Sequence, residues 1–301
     1  MPDLIVVGAV ESTRIAVEAA HGTEGWNVKA VVTLPPDRSA RHSDYCDLSP
    51  LCKQIGAQVI HAPKINEPAI LDRIRATEPD LILVVGWSQI CDAEFLAIRP
   101  GRVLGYHPAP LPRLRGRAAI PWTILLREPI TAGTLFWIDE GTDSGPIMGQ
   151  RFFHVAPDET AQSLYDKHMA VLAPMIRETL QRIGRGETAG DVQDERYATY
   201  AARRTQADGL IDWNSPVAEI DRLVRAVGEP YPGAFTHRGE DRIVIWQAEP
   251  DYDPSHEASV PGQIVALSDD AFSVRTPDGL LRVMSWEQDG GEKLRVHQRL
   301  A

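Results

Sequence analysis

The sequence predicts a two-part α/β protein, a Rossmann-like domain built on a parallel sheet followed by a small antiparallel β-barrel. Three observations predict it. The chain opens as strand, turn, helix and strand: an apolar run over 4–7 closed by Gly8, a helix with Ile15, Ala16, Ala19 and Ala20 at helical spacing that stops at Gly22, and a second apolar run over 28–32. That order implies parallel strands joined by right-handed crossovers. Residues 81–85 are the most apolar short run and read as a central strand buried on both faces. Residues 242–286 alternate apolar and polar side chains in short runs separated by Gly, Pro and Asp, which fits a small barrel. Residues 184–193 are rich in Gly and charge and read as a linker, so the expected boundaries are 1–184, 185–204 and 205–301.

The remaining elements follow from the same signals. Ser12 is the expected N-cap of the first helix. Residues 33–47 are rich in Pro, Asp and Ser and read as loop, carrying Arg38, Arg41, His42, Ser43, Asp44 and Tyr45. Helices are expected over 48–56, 70–76 and 120–126, the last with Pro121 in its first turn, and strands at 59–60 and 130–138. A long amphipathic helix is expected over 159–183, kinked at Pro174, with Leu164, His168, Val171, Leu172, Met175 and Leu180 on its core side. His168 reads as a packing or surface histidine.

Length and composition narrow the function. A chain of 301 residues suggests two domains, and 43% hydrophobic with 24% charged residues is ordinary for a globular protein. No apolar run approaches the ~20 residues of a membrane helix. The first residues lack a basic region ahead of the first strand, so a cytoplasmic location is expected. Cys46, Cys52 and Cys91 show no metal-ligand spacing and read as free thiols. A net charge of -11 argues against a broad nucleic-acid surface. The loop at 8–12 lacks the three-glycine dinucleotide fingerprint.

The chemistry concentrates between Gly105 and Gly149. Pro108, Pro110 and Pro112 exclude helix and central strand directly after His107, leaving a stiff loop. A cationic turn with Arg113, Arg115 and Arg117 follows, then an apolar run, then the acidic loop Asp139-Glu140-Gly141-Thr142-Asp143-Ser144-Gly145. An imidazole steered by a carboxylate suits proton transfer near neutral pH.

His107, Leu111-Pro112, Arg115-Gly116 and Asp143-Ser144-Gly145 together resemble the signature of the 10-formyltetrahydrofolate-dependent formyltransferases. The strings Ala198-Thr199-Tyr200, Asp208-Gly209-Leu210-Ile211-Asp212-Trp213, Arg225-Ala226 and Pro232-Gly233-Ala234-Phe235 resemble the second half of that family, so the resemblance spans nearly the whole chain. It implies a Rossmann-like formyltransferase domain with an OB-like C-terminal domain, and 10-formyltetrahydrofolate as the formyl donor. It assigns proton transfer to His107 and Asp143. It puts the folate against Gly86, Trp87, Ser88, Gln89 and Ile90, and against Asp139, Glu140, Gly141 and Thr142. It puts substrate toward Gly8, Val10, Glu11, Arg113, Arg115, Gly116 and Arg225. The loop at Gly8 also reads as a plain strand-to-helix turn, and Trp87 as a packed core aromatic.

This chain departs from the family pattern at two places. The family asparagine is replaced by Gly105, and the Ser-Leu of the loop by Ala109-Pro110. Loss of an oxyanion donor costs roughly 3–4 kcal/mol, so another group takes that role in an active enzyme; the alternative is a non-catalytic folate- or sugar-binding homologue. The resemblance also implies a longer basic insertion near Arg38 in the methionyl-tRNA formyltransferases. Its absence here, with the acidic balance, favours a small-molecule amine, either a nucleotide-linked amino sugar or N-hydroxyornithine of a siderophore pathway. Methionyl-tRNA is the alternative acceptor, and the oligomeric state is open.

Overall fold

The computed structural model describes residues 1–41, 44–253, 258–288, 290 and 292–301. His42 and Ser43 of the Pro-rich loop lie outside the described residues. In chain order the elements are β1 Asp3–Val7, α1 Glu11–His21, β2 Asn27–Thr33, α2 Ser49–Ile55, β3 Gln58–His61, α3 Pro68–Arg75, β4 Leu81–Val84, α4 Ala93–Leu96 and β5 Val103–His107. There follow β6 Arg115–Gly116, α5 Ala119–Leu125, β7 Ile130–Trp137, β8 Ile147–His154, α6 Ala161–Gly184, β9 Tyr200–Ala201 and α7 Val217–Val227. The last strands are β10 Ala234–Arg238, β11 Asp241–Asp251, β12 Ile264–Leu267, β13 Phe272–Arg275 and β14 Leu280–Gln288.

Two compact units divide the chain. The first comprises Met1–Ala119, Ile130–His154 and Tyr165–Ala202, and the second Ile120–Pro129, Val155–Leu164 and Arg203–Ala301. The first is a Rossmann-like α/β layer with a seven-stranded sheet in the order β3-β2-β1-β4-β5-β7-β8. Strands β1 to β5 pair in parallel, as the crossover pattern requires. The sheet is not parallel throughout, however, because β7 pairs antiparallel with β5 and β8 antiparallel with β7. A parallel entry needs a crossover over one face; here the chain after β5 forms a proline-rich loop, β6 and α5 instead.

Alternation along each strand sorts the core. Leu4, Val6, Leu81, Leu83, Leu104 and Leu135 face one side with α1 and α6, while Ile5, Val7, Ile82, Val84 and Val103 face the other with α3. The cap of helix α1 lies two residues before its expected position. Val10 is the N-cap, and Ser12 lies inside the helix, because the Thr13 hydroxyl accepts from Val10 N (3.2 Å) and donates to Val85 O (2.7 Å). Residues 36–41 of the expected loop form a 3-10 helix. Helix α6 runs on through Pro174.

In the second unit the antiparallel order is β10-β11-β14-β13-β12. The last residues close it into a barrel. His297 N donates to Ile264 O and Ile264 N to Gln298 O on the β12 side, while Ala301 and His237 exchange two 2.8 Å bonds on the β10 side. The segment 297–301 thus fills the gap between the two edge strands.

His168 of α6 is fully buried in the first unit. Its Nδ1 lies 3.0 Å from the Tyr106 hydroxyl, Phe153 packs edge-on at 4.9 Å, and its Nε2 has no partner. Burial, with the charge of His107 second, lowers its pKa from 6.5 to about 3. Between those values the unfolded chain binds a proton that the folded chain does not, so stability falls with acidification below 6.5 by roughly 1 kcal/mol per pH unit. Urea unfolding at several pH values is expected to show this slope, and His168→Gln, which keeps an acceptor for Tyr106 but does not titrate, is expected to flatten it.

Candidate active site

His107 is the last residue of β5 and is only 6% exposed. Its Nε2 lies 2.7 Å from the carbonyl of Leu114. A carbonyl accepts and does not donate, so this contact places the ring proton on Nε2 and leaves Nδ1 with the lone pair. Leu114 presents that carbonyl from a left-handed conformation (φ 58°), one that a branched side chain adopts only under constraint. The proline loop is braced to do so. Thr134 Oγ1 donates to Ala109 O (2.7 Å), and Gln150 Nε2 donates both to Leu111 O and to Thr134 Oγ1 (2.9 Å each).

Asp143 reaches His107 by a return path. In the β5–β7 ladder His107 opposes Thr134 and Leu104 opposes Trp137, so β7 ends beside the start of β5. The following loop runs back along the strand and brings Asp143 Oδ2 to 3.6 Å from His107 Nδ1. Asp143 also has a left-handed backbone (φ 49°). Its Oδ2 accepts the amide of Gly116 at 2.7 Å. The carboxylate is therefore oriented by a backbone N–H on β6 and faces the ring nitrogen that carries the lone pair.

Arg115, expected toward substrate, is instead internal scaffolding. It is 1% exposed, and its guanidinium donates to Gln193, to both carboxylate oxygens of Glu195 and to the Tyr200 hydroxyl. These contacts engage its donors in a fixed fork. Gln193 in turn donates to the carbonyls of Asp143 and Gly145 (2.8 Å each). The segment read as linker therefore supplies the brace of the acidic loop. Thr199 hydrogen-bonds Leu114 N and Pro112 O, and β9 pairs with β6 through Arg115–Tyr200 and Gly116–Ala201. Sequence reasoning missed Gln193 and Glu195; the one available signal was the family-like Ala198-Thr199-Tyr200 string.

The other expected residues fall in the turns after β1 and β4 and in the acidic loop, with Arg113 and Arg225 elsewhere. The turn after β4 comes within reach of the turn after β1: Ala9 N donates to Gly86 O (3.3 Å), and a Cβ at Gly86 (φ 69°) would lie 2.2 Å from Val10. Gly8 must likewise be glycine, since a Cβ there would fall 1.9 Å from Val85 O. Glu11 is engaged by Arg14 through two hydrogen bonds of 3.0 Å. In the β4 turn, the indole nitrogen of Trp87 is buried without a partner, Ser88 O accepts from Arg117, Gln89 bridges Pro63 O and Ile65 N, and Ile90 is 83% exposed. In the acidic loop, Asp139 accepts from Gly141 N (3.0 Å) and Ser144 Oγ (2.8 Å), with Glu140 and Thr142 exposed. Arg113 is exposed on the turn after Pro110. Arg225 belongs to the second unit, where it pairs with Asp221 (3.0 Å) and donates to Glu159 O (2.8 Å).

A family model described as "Formyl transferase" matches residues 5–176, and one described as "Formyl transferase, C-terminal domain" matches residues 203–301. The chain belongs to the formyl transferase family. This formyltransferase is 31% identical over 278 residues to the methionyl-tRNA formyltransferase of Ruminiclostridium cellulolyticum, covering 91% of this chain and 88% of that protein. It is 30% identical over 280 residues to the methionyl-tRNA formyltransferase of Caldanaerobacter subterraneus subsp. tengcongensis, covering 92% and 89%. Among solved structures it is similar in fold to HypX from Aquifex aeolicus in complex with tetrahydrofolic acid (TM-score 0.69, 20% identity), covering 96% of this chain but only 44% of HypX. It is also similar to the sugar 3N-formyl transferase WlaRD (TM-score 0.64, 15% identity), covering 97% of this chain and 99% of that one.

Gln193 ties the acidic loop to the Arg115 guanidinium. Gln193→Ala removes the acceptor from a buried guanidinium and frees the Asp143 carbonyl. A cost of about 1–3 kcal/mol in urea unfolding is expected, together with a fall in turnover as the acidic loop loosens.

Proposed function

We propose that this formyltransferase moves the formyl group of 10-formyltetrahydrofolate to the amine of a small molecule, with His107 and Asp143 as the proton-transfer pair. One observation carries the reading: Leu114 holds the ring proton on Nε2, so Nδ1 is free to take a proton beside the Asp143 carboxylate. An acceptor amine attacks only when neutral. His107 accepts its proton at Nδ1, the imidazolium so formed faces a carboxylate 3.6 Å away that the Gly116 amide keeps in place, and the proton passes to the folate nitrogen as its bond to the formyl carbon breaks and tetrahydrofolate leaves. A carboxylate held by a backbone donor does not swing away.

The donor supplies the formyl group when bound. Gly86 to Ile90 and Asp139 to Thr142 are the residues proposed to hold it. The residues present fit such a molecule: a tight glycine turn, a buried indole N–H without an internal partner, and an exposed apolar side chain at Ile90 offer one polar and one flat apolar contact to a fused ring. Gly8, Val10, Arg113 and Gly116 are proposed on the substrate side. Catalysis is proposed to reside in residues 1–184, joined through 185–204 to the C-terminal domain 205–301.

A small acceptor is favoured by the net charge of -11 and by the segment between β2 and α2. Among its described residues the only helix is Pro36–Arg41, where Arg38 lies 3.7 Å from Asp37. A polyanion needs more cationic surface than that. The second reading, transfer to methionyl-tRNA, is favoured by 30–31% identity to two such enzymes over nine-tenths of the chain. No described helix is long and apolar enough to cross a membrane.

The test is tetrahydrofolate release from 10-formyltetrahydrofolate with a panel of nucleotide-linked amino sugars, N-hydroxyornithine and methionyl-tRNA. Turnover with a small amine is expected, and efficient formylation of methionyl-tRNA alone would replace this reading by the second. His107→Ala and Asp143→Asn are each expected to lower turnover about 100-fold or more without loss of fold by circular dichroism; full activity in either would remove the proposed pair.

A further inference from the structure

Gly105 stands two residues before His107 on the same face of β5, paired with Val84 on one side and Phe136 on the other. Its backbone is not left-handed, so conformational freedom is not the reason for a glycine there. Space is the reason. A Cβ at this position would lie 2.9 Å from Ile138 Cγ1, 3.0 Å from Ile138 Cδ1 and 3.1 Å from Phe136 Cε1. Ile138 is itself fixed, because its amide donates to Val103 O at 2.8 Å and its side chain packs against the apolar face that holds Val103 and Trp87.

Ile138 is also the first residue of the return path to Asp143. From the level of Ile138, opposite Val103, to the level of His107 the path along β5 spans on the order of 13 Å at ~3.3 Å per residue. Residues 139–143 reach at most about 17 Å when fully extended. The loop covers that distance with its turns tied together, Asp139 Oδ1 accepting from Gly141 N (3.0 Å) and from Ser144 Oγ (2.8 Å), so a shift of Ile138 is carried toward Asp143.

We propose that Gly105 and Ile138 form a matched pair that seats the loop 138–143 on β5 and thereby sets the approach of Asp143 to His107. Gly105 is in this sense a positioning residue. The inference rests on the reading of His107 and Asp143 as the proton-transfer pair.

The experiment combines steady-state kinetics, using the amine accepted in the screen above, with 15N NMR of the His107 ring in the resting protein. Gly105→Ala is expected to lower kcat about tenfold or more, with KM for donor and acceptor changed much less, and to shift the His107 ring signals. Gly105→Ala/Ile138→Ala is expected to be faster than Gly105→Ala and to return those signals toward wild type. Ile138→Phe, which enlarges the partner while keeping Gly105, is expected to repeat the loss and covers the case in which Gly105→Ala fails to fold. If kcat falls but Ile138→Ala restores nothing, or if Gly105→Ala and Ile138→Phe leave both kcat and the ring signals unchanged, the matched pair is overturned. If the signals shift and recover as expected while His107→Ala keeps full activity, the seating stands and the proton-transfer reading falls.

Discussion

A backbone hydrogen bond, from the Gly116 amide to the Asp143 carboxylate, joins the two loops on which the candidate site depends. The proline loop carries His107 at one end and Gly116 at the other, and the acidic loop carries Asp143. The direct contact between the two side chains, imidazole to carboxylate, is 3.6 Å, too long for a hydrogen bond. The bond fixes one carboxylate oxygen, and the carbonyl of Leu114 fixes one ring nitrogen. Relative geometry is thus set by backbone groups, which lack the rotamer freedom of side chains.

Backbone groups hold position only if their own strand is held, which explains the buried cation beneath them. Arg115 lies between Leu114 and Gly116 and is tied to Gln193, Glu195 and Tyr200. Burying a guanidinium costs several kcal/mol unless its donors are matched. Here they are, and Gln193 passes the restraint on to the carbonyls of Asp143 and Gly145. The residue that resembled a substrate-binding arginine serves the site from behind.

Much of this was legible in the sequence, and the rest was not for identifiable reasons. The alternating strand–helix order placed β1 to β4, and His107 and Asp143 stood out because proline and glycine mark their loops. The antiparallel β7 was not visible, since an apolar run of eight residues carries no direction. Two-residue strands such as β6 and β9 have no period to detect, so the segment 193–201 looked like linker. A buried arginine and an exposed one are the same letter. Gly105 was visible as a departure from the family pattern, but only the packing of Ile138 gives that departure a physical meaning.

The β5–β7 pair carries the same device on its two faces. On the side of His107, Gly105 leaves room for Ile138; on the opposite side, Gly133 leaves room for Tyr106, whose hydroxyl would lie 2.5 Å from a Cβ there. Tyr106 uses that room to reach His168, so β5 is pinned from behind to α6 by a hydrogen bond and from the front to the acidic loop by apolar contact. A strand held on both faces has little freedom to twist or slide. That matters at its end, where Leu114, Gly116, Ala118 and Asp143 all take left-handed conformations. For the non-glycine residues among them such conformations cost on the order of 1–2 kcal/mol each. The costs are sustained only where the surroundings over-determine the backbone, and the rigid β5–β7 frame together with the Arg115 network does so at the point where the proposed proton transfer requires a fixed distance.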